Sequence, residues 1–169
     1  MLFTKKKGMA YETAGLTDKG LVRENNEDNI FVLDIKEPGR LWQESCGIYV
    51  IADGMGGHQA GEVASDMAIK IISGVLKEGF GETSDLTPEL LIQQAMEKAN
   101  DEIFTAAGSK PELHSMGTTV TLGLRLDDTL YIGHVGDSRA YLIRNKKLRQ
   151  LTEDHSLVAR LVKDGMIST

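Results

Sequence analysis

Cysteine, proline and aromatic residues are scarce in this sequence of 169 residues, which has one cysteine and three prolines and is 5% aromatic. The single cysteine, Cys46, excludes an intrachain disulfide, and with only four histidines a tetrahedral structural zinc site is not expected. No stretch reaches the roughly 18 consecutive apolar residues that predict a membrane-spanning helix. The opening residues MLFTKKKG lack the apolar segment of a secretory signal. These absences predict a reducing, cytoplasmic setting.

Positive charge is also in deficit. The sequence has 19 lysines and arginines against 25 aspartates and glutamates, which gives a formal net charge of −6. This sign disfavours a nucleic acid or an anionic membrane as the main partner, because both are negatively charged. A local basic cluster over residues 144–149 is interpreted as the solvated tip of a hairpin.

The length favours one domain, which can bury about 70% of its unfolded surface. We interpret residues 1–8 as a flexible leader and residues 9–169 as the domain. Apolar residues at strand or helix spacing define the predicted elements. The predicted strands cover residues 9–16, 28–35, 47–53 and 117–126, followed by a meander of short strands over residues 129–152. The predicted helices cover residues 61–77, 88–107 and 156–165.

Local signals mark several element ends. Gly79 is a candidate stop for the first helix, and Thr87 is a candidate N-cap for the second, with Pro88 in its first turn. Asn145 and Lys146 form a candidate hairpin tip. Strands, then two helices, then antiparallel strands predict an α+β domain, and they disfavour the regular alternation of a doubly wound fold.

The segment GIYVIADGMGGH, residues 47–58, raises the first functional question. Its apolar run predicts a strand buried on both faces, and the run stops at Asp53. A carboxylate at the end of such a strand is costly unless it meets a cation, hydrogen-bond donors or water. We therefore expect Asp53 to have a partner.

Polar residues interrupt the chain beside apolar strands at three places. They are Arg23, Glu27 and Asp28 before the second predicted strand, Asp53, Gly54 and His58 after the third, and Asp137, Ser138 and Arg139 within the meander. Carboxylates delivered from strand ends suit hard cations such as Mg²⁺ or Mn²⁺, which take oxygen ligands and retain waters. The pattern indicates a divalent metal site that activates water.

Each of these residues also has a purely structural interpretation. Asp53 and Asp137 adjoin glycine and can form turns. Residues 23–28 can be a solvated polar loop, and His58 can be a surface residue or a contact at a helix start. Other known site motifs do not fit the sequence. The glycine-rich segment 54–61 matches neither the Walker nor the dinucleotide-binding spacing, and the residues after Asp53 do not match a calcium-binding loop. No Ser-His-Asp order and no GxSxG elbow of a serine hydrolase is present.

Five sequence blocks in order resemble the bacterial branch of the metal-dependent protein phosphatases, the type 2C or PPM family. The blocks are GLTDKGLVRENNEDN (15–29), IADGMGGHQAGEVAS (51–65), SMGTTV (115–120), GHVGDSRAYLIR (133–144) and LTEDHSLV (151–158). The resemblance implies an antiparallel β-sandwich flanked by helices. It also implies hydrolysis of phosphoserine and phosphothreonine at a pair of Mn²⁺ or Mg²⁺ ions, with phosphorylated targets of a serine/threonine kinase as expected substrates.

The resemblance also implies metal ligands. Asp53 matches the aspartate that bridges both ions, and Gly54 matches the glycine whose carbonyl binds one of them. Asp137 matches the aspartate that helps to hold a third, weaker metal in bacterial members. Glu27 and Asp28 match the Glu-Asp pair beside the metals, as direct ligand or through coordinated water, and the sequence does not divide those two roles.

Two further residues match groups that act on the phosphate ester. Arg23 matches the arginine that holds the phosphate, where a planar bidentate donor suits the geometry. His58 matches the histidine proposed to protonate the leaving alkoxide, a role that suits its near-neutral pKa. The implied reaction is direct attack on phosphorus by a water that bridges the two metals.

Family members continue past the region that this sequence matches, through a flap, further strands and a helix that supply two more aspartates to the metal site. We therefore expect a domain that lacks its C-terminal part, with open sheet edges through which it can associate. Two functions follow from this expectation. One is a serine/threonine phosphatase, and the other is a catalytically incompetent fragment that binds metal or phosphopeptide or acts by association.

Overall fold

The computed structural model describes residues 12–35, 45–56, 59–81 and 86–156. Its strands are β1 (Asp28–Ile35), β2 (Cys46–Met55), β3 (Gly117–Thr118), β4 (Val120–Leu126), β5 (Thr129–Val135), β6 (Tyr141–Arg144) and β7 (Lys147–Gln150). Its helices are α1 (Ala60–Gly81), α2 (Pro88–Ser109) and a short 3-10 helix (Pro111–Leu113).

All strand pairs in the described residues are antiparallel. The main sheet has the order β1-β2-β4-β5, and β3 pairs with the end of β2. Strands β6 and β7 form a separate two-stranded sheet. The predicted α+β fold with antiparallel sheets is confirmed. Within the described residues, β1 and β5 are the edges of the main sheet, and no helix is long and apolar enough to cross a membrane.

The core lies between one face of the main sheet and the two long helices. From β2, Ile48, Val50 and Ala52 are at most 1% exposed, and they pack against buried residues of α1, α2 and β4. Burying each large aliphatic side chain contributes about 1.5–3 kcal/mol. Among the described residues, the prediction that β2 is buried on both faces is wrong, because α1 and α2 cover one face only. On the other face Ile51 is 51% exposed.

The helices are longer than their patterns predict, and Gly79 lies inside α1 instead of ending it. A Cβ at Gly79 would stand 2.4 Å from Leu91 Cδ1, so this glycine allows α1 and α2 to approach closely. The start of α2 is confirmed, since the amide of Leu90 donates to Thr87 Oγ1 (3.4 Å) and a proline follows the cap.

Other predictions have mixed outcomes. Residues 12–16 form no strand, and this segment instead runs beside β1, where Thr13 Oγ1 donates to Asp34 Oδ2 (2.6 Å). The predicted strand 117–126 is divided at Thr119 into β3 and β4. The hairpin tip is confirmed, with positive φ angles of 52° and 61° at Asn145 and Lys146. Residues 1–11 and the predicted helix after Ser156 lie outside the described residues.

Candidate metal and phosphate site

Two carboxylates face each other where β1 begins and β2 ends. The antiparallel register places Asp28 opposite Asp53, and both residues are exposed to solvent. Partial desolvation raises the pKa of Asp53, and the charge and hydrogen bond of Asp28 raise it further. The charge of Asp137 also raises this pKa, whereas Arg23 opposes the shift. The predicted metal ligands Asp28, Asp53 and Asp137 are therefore close enough to interact electrostatically.

The backbone of Asp53 is fixed from the β3–β4 junction. Its carbonyl accepts hydrogen bonds from the Thr119 amide (2.9 Å) and from Thr118 Oγ1 (3.0 Å). Its amide donates to Thr119 Oγ1 (3.1 Å), and that hydroxyl is also hydrogen-bonded to Ser138 Oγ (2.8 Å). Thr119 therefore joins Asp53 to the loop that contains Asp137. Thr118 and Thr119 lie in the family-like block 115–120 and Ser138 lies in the block 133–144, and this position in the blocks was the available signal in the sequence.

The same loop is held from β4, and His134 of β5 contacts the residue that holds it. Thr121 Oγ1 donates to the Ser138 carbonyl (3.4 Å) and is hydrogen-bonded to His134 Nδ1 (3.1 Å). His134 Nε2 lies 3.1 Å from the Glu153 carbonyl, and its ring lies 5.1 Å from that of His155. These contacts attach the segment after β7 to the site, and sequence reasoning did not identify His134 or His155.

The glycines after Asp53 allow the strand and helix backbones to come together. A Cβ at Gly54 would stand 2.0 Å from the Gly61 carbonyl oxygen and 2.7 Å from that of Glu27. The Gly54 amide donates to this Glu27 carbonyl (3.1 Å), which ties the start of β1 to the end of β2. Gly56 has a φ of 152°, a conformation that favours glycine. Glycine is required here because the chain turns within a few residues from β2 into α1.

Arg23 lies beside this carboxylate group, on the loop before β1. Its Nη1 atom donates to Glu27 Oε2 at 2.7 Å, and the two side chains are 65% and 15% exposed. The pair borders a cleft of about 880 Å³ that runs toward the start of α1 and the 3-10 helix. The other arginine singled out in the sequence, Arg139, makes two hydrogen bonds to Asp154 (2.8 and 2.5 Å) and is committed to that carboxylate.

The donor set fits a hard cation. Asp28, Asp53 and Asp137 concentrate negative charge, and a divalent ion would relieve the repulsion that raises the pKa of Asp53. In the part of the chain that the structure describes, no group of three or more His, Cys, Asp or Glu side chains converges closely enough to enclose a metal ion. His58, the predicted proton donor, lies outside the described residues. Arg23, Glu27, Asp28, Asp53 and Gly54 lie around the start of β1 and the end of β2, and the charge of Asp137 acts on Asp53.

The chain is similar to known protein phosphatases. Residues 14–160 match the family model described as Protein phosphatase 2C. The chain is 41% identical over 152 residues to the serine/threonine phosphatase stp of Listeria monocytogenes serotype 4b, covering 90% of this chain and 58% of that protein. It is 37% identical over 155 residues to the serine/threonine protein phosphatase PstP of Mycobacterium tuberculosis, covering 92% of this chain and 27% of that one.

Solved structures show the same likeness. The catalytic domain of PstP in complex with two manganese ions superposes with a TM-score of 0.71 at 36% identity, covering 89% of this chain and 59% of that one. Stp1 from Staphylococcus aureus gives a TM-score of 0.72 at 34% identity, covering 90% and 57%. The chain thus spans somewhat over half the length of the Listeria relative and of these two solved chains, and 27% of the full PstP protein. The match over residues 14–160 shows that the chain belongs to the protein phosphatase 2C family.

Proposed function

We propose that this protein is a metal-dependent serine/threonine phosphatase that hydrolyses phosphoserine and phosphothreonine esters with Mn²⁺ or Mg²⁺. The observation that carries the proposal is the carboxylate pair of Asp28 and Asp53, which lies beside Arg23 and its cleft. In the same family, the catalytic domain of PstP binds two manganese ions. Phosphorylated proteins are the proposed substrates, with targets of a serine/threonine kinase among them. A cytoplasmic location is part of the same proposal.

The proposed ligands are the carboxylates of Asp53, Asp28 and Asp137 and the carbonyl of Gly54. When bound, the ions would supply positive charge beside the phosphate. They would also lower the pKa of a bound water so that it loses a proton near neutral pH. The protein positions these ligands through the backbone hydrogen bonds of Asp53 and through the close approach of Gly54 to Gly61. Glu27 lies next to Asp28 and acts beside the ions, directly or through coordinated water.

Arg23 is proposed to hold the phosphate. Its side chain is 65% exposed and lines the cleft, and a planar fork of N–H donors binds two phosphoryl oxygens at once. Its charge stabilises the phosphoryl oxygens as the bond to the leaving group breaks. Because Glu27 Oε2 lies 2.7 Å from Arg23 Nη1, a bound phosphate must share or replace this contact. His58 is the proposed donor of a proton to the departing serine or threonine alkoxide.

A second function is supported by the geometry of the described carboxylates. No three His, Cys, Asp or Glu side chains converge closely enough to hold a metal in the described residues. A catalytically incompetent protein that binds metal or phosphopeptide, or that associates through the edges β1 and β5, is consistent with this geometry. The two functions differ in turnover.

The discriminating experiment measures Mn²⁺-dependent hydrolysis of p-nitrophenyl phosphate and release of phosphate from a phosphothreonine peptide. Asp53→Asn is the test variant, and Asp66→Asn, on the exposed Lys70–Asp66 pair of α1, is the matched control. The full-length Listeria relative serves as the positive control. A phosphatase hydrolyses both substrates, retains this activity in Asp66→Asn and loses it in Asp53→Asn.

Binding of Mn²⁺ and of the phosphopeptide without turnover would support the second function. Metal-independent hydrolysis, or hydrolysis unaffected by Asp53→Asn, would overturn the phosphatase proposal. Asp66→Asn removes the same charge as Asp53→Asn, so a difference between them reports the position of the carboxylate and not the net charge.

A further inference from the structure

The cleft beside Arg23 continues well past the proposed phosphate position. Its volume of about 880 Å³ lies toward the upper end of the roughly 300–1,000 Å³ that is typical of ligand sites. One wall is the loop before β1, and the facing wall is formed by the start of α1 and the 3-10 helix. A phosphorylated side chain held at Arg23 therefore leaves room for the flanking residues of its own chain.

The lining of this cleft carries a net negative charge. Its charged residues are Arg23 and the glutamates Glu24, Glu27 and Glu112. Arg23 and Glu27 form an ion pair with each other, so Glu24 and Glu112 provide the unbalanced charge of −2. Both are exposed, and neither makes an ion pair among the described residues. The nearby Lys19 donates to the backbone carbonyl of Glu24 (3.4 Å) and makes no ion pair with the Glu24 carboxylate among the described residues.

The wall of the cleft also offers apolar surface. Val63, on the first turns of α1, and Leu113, at the end of the 3-10 helix, are half-buried. Both pack against a small cluster of Ala60, Ala64 and Met116, which fixes their position. An aliphatic side chain of a bound peptide, or the methylene stem of a lysine or arginine, finds a matching surface here.

On the basis of the proposed function, we infer that this cleft is the substrate-recognition surface, and that Glu24 and Glu112 select phosphopeptides with a lysine or arginine close to the phosphorylated residue. Arg23 binds the phosphate, the glutamates attract the basic side chain, and Val63 and Leu113 contact its stem. Opposite charges on the peptide match the alternation of positive and negative groups along the cleft. An acidic flanking residue is disfavoured by repulsion from the same glutamates.

The test compares two fluorescent peptides that differ only in flanking lysines or flanking glutamates, each with a non-hydrolysable phosphonate in place of the phosphothreonine ester. Their dissociation constants are measured by fluorescence anisotropy in Mn²⁺ with the wild type, Glu24→Gln, Glu112→Gln and the double variant. We expect the lysine peptide to bind about two- to fivefold more tightly for each glutamate engaged, as is typical of exposed ion pairs. The difference disappears in the double variant and shrinks in 0.5 M NaCl, since salt screens exposed charges.

Glu78→Gln is the matched control, because it changes the net charge equally at an exposed position about 27 Å along α1 from Ala60. It keeps the full lysine preference if the cleft is responsible. Equal affinity for the two peptides, or a preference unchanged in the double variant, would overturn the inference.

A separate assay of phosphate release from the corresponding ester peptides reports the proposed function. Release without a flanking preference leaves the phosphatase proposal intact and removes the inference. A glutamate-dependent preference without Mn²⁺-dependent release supports the recognition surface and removes the phosphatase proposal.

Discussion

The clearest stability test concerns an ion pair on the sheet face opposite the helices. Arg125 Nη2 lies 3.2 Å from Asp34 Oδ1, and the two side chains are only 6% and 11% exposed. Tyr49 Oη also donates to Asp34 Oδ1 (2.7 Å), and Arg125 Nη1 donates to Ser45 Oγ (3.1 Å). The pair joins β1 to β4 across Gly47 of β2, which lies between Asp34 and Arg125 in the sheet. A side chain at position 47 would collide with Tyr49, because its Cβ would stand 2.1 Å from Tyr49 Oη.

We predict that Arg125→Met lowers the free energy of unfolding by about 3 kcal/mol. Removing one partner of a buried ion pair leaves an uncompensated charge and costs about 3–5 kcal/mol. The lower end applies because Asp34 keeps its hydrogen bonds from Tyr49 and Thr13. Replacing both partners, as Asp34→Leu with Arg125→Met, is expected to recover much of the loss, since no buried charge remains.

The assay is urea unfolding followed by circular dichroism at pH 7, which requires a single transition with similar slopes in all variants. Lys70→Met breaks the exposed Lys70–Asp66 pair (2.6 Å) and is the control, with an expected cost below about 1 kcal/mol. The reasoning is refuted if Arg125→Met costs no more than Lys70→Met. It is also refuted if the losses of the two single variants simply add in the double variant.

The same pair predicts a pH dependence. Burial alone would raise the pKa of Asp34, but hydrogen bonds from Thr13, Tyr49 and Arg125 outweigh it and lower this pKa overall. A carboxylate whose pKa is lower in the folded state contributes stability above its unfolded pKa of about 3.9 and loses it as the pH falls through the folded value. Stability should therefore decline below about pH 4, and less steeply in Arg125→Met, in urea unfolding from pH 7 to pH 2.

Three further changes test the candidate site. Gly54→Ala should lower the melting temperature sharply, because its Cβ would stand 2.0 Å from the Gly61 carbonyl oxygen. Gly74→Ala is the control, since a Cβ at this position inside α1 would meet nothing within 4 Å, and it should stabilise the protein by about 0.5–1 kcal/mol. Equal effects of the two in thermal unfolding would contradict the packing argument. Thr119→Val removes the hydroxyl that accepts a hydrogen bond from the Asp53 amide, whereas Thr119→Ser keeps it. Calorimetry should therefore show weaker Mn²⁺ binding in Thr119→Val than in Thr119→Ser. Identical affinities would exclude a role of this hydroxyl in positioning Asp53. Asp53→Asn should raise the melting temperature in EDTA, because partial burial and the charge of Asp28 raise the pKa of Asp53 and disfavour its ionised form. The same variant should abolish the rise in melting temperature that Mn²⁺ causes in the wild type. A wild-type melting temperature unaffected by Mn²⁺ would count against the metal site.

Sequence patterns predicted the elements whose signals are local. The 3.6-residue period located α1 and α2, and the Thr87–Pro88 pair marked the start of α2. Gly79 shows the limit of such signals, because its role depends on the proximity of Leu91 on another helix. The predicted strand at residues 9–16 was wrong over residues 12–16 for a similar reason. An apolar alternation does not reveal whether a neighbouring strand offers free backbone groups to pair with.

The sequence by itself determined the family, the location of the two long helices and of most strands, and which acidic residues stand at strand ends. Those features depend on residue type and short spacing, which the chain carries locally. Only the tertiary structure decided that Asp28 lies opposite Asp53, that Arg125 neutralises Asp34 across 91 positions, and that Glu112 faces the loop of Arg23 across one cleft. Strand register and helix packing bring these residues together, because burial of the shared apolar core fixes one alignment of distant segments. The carboxylate at the end of β2 thus acquires its partners from segments far from it in the sequence.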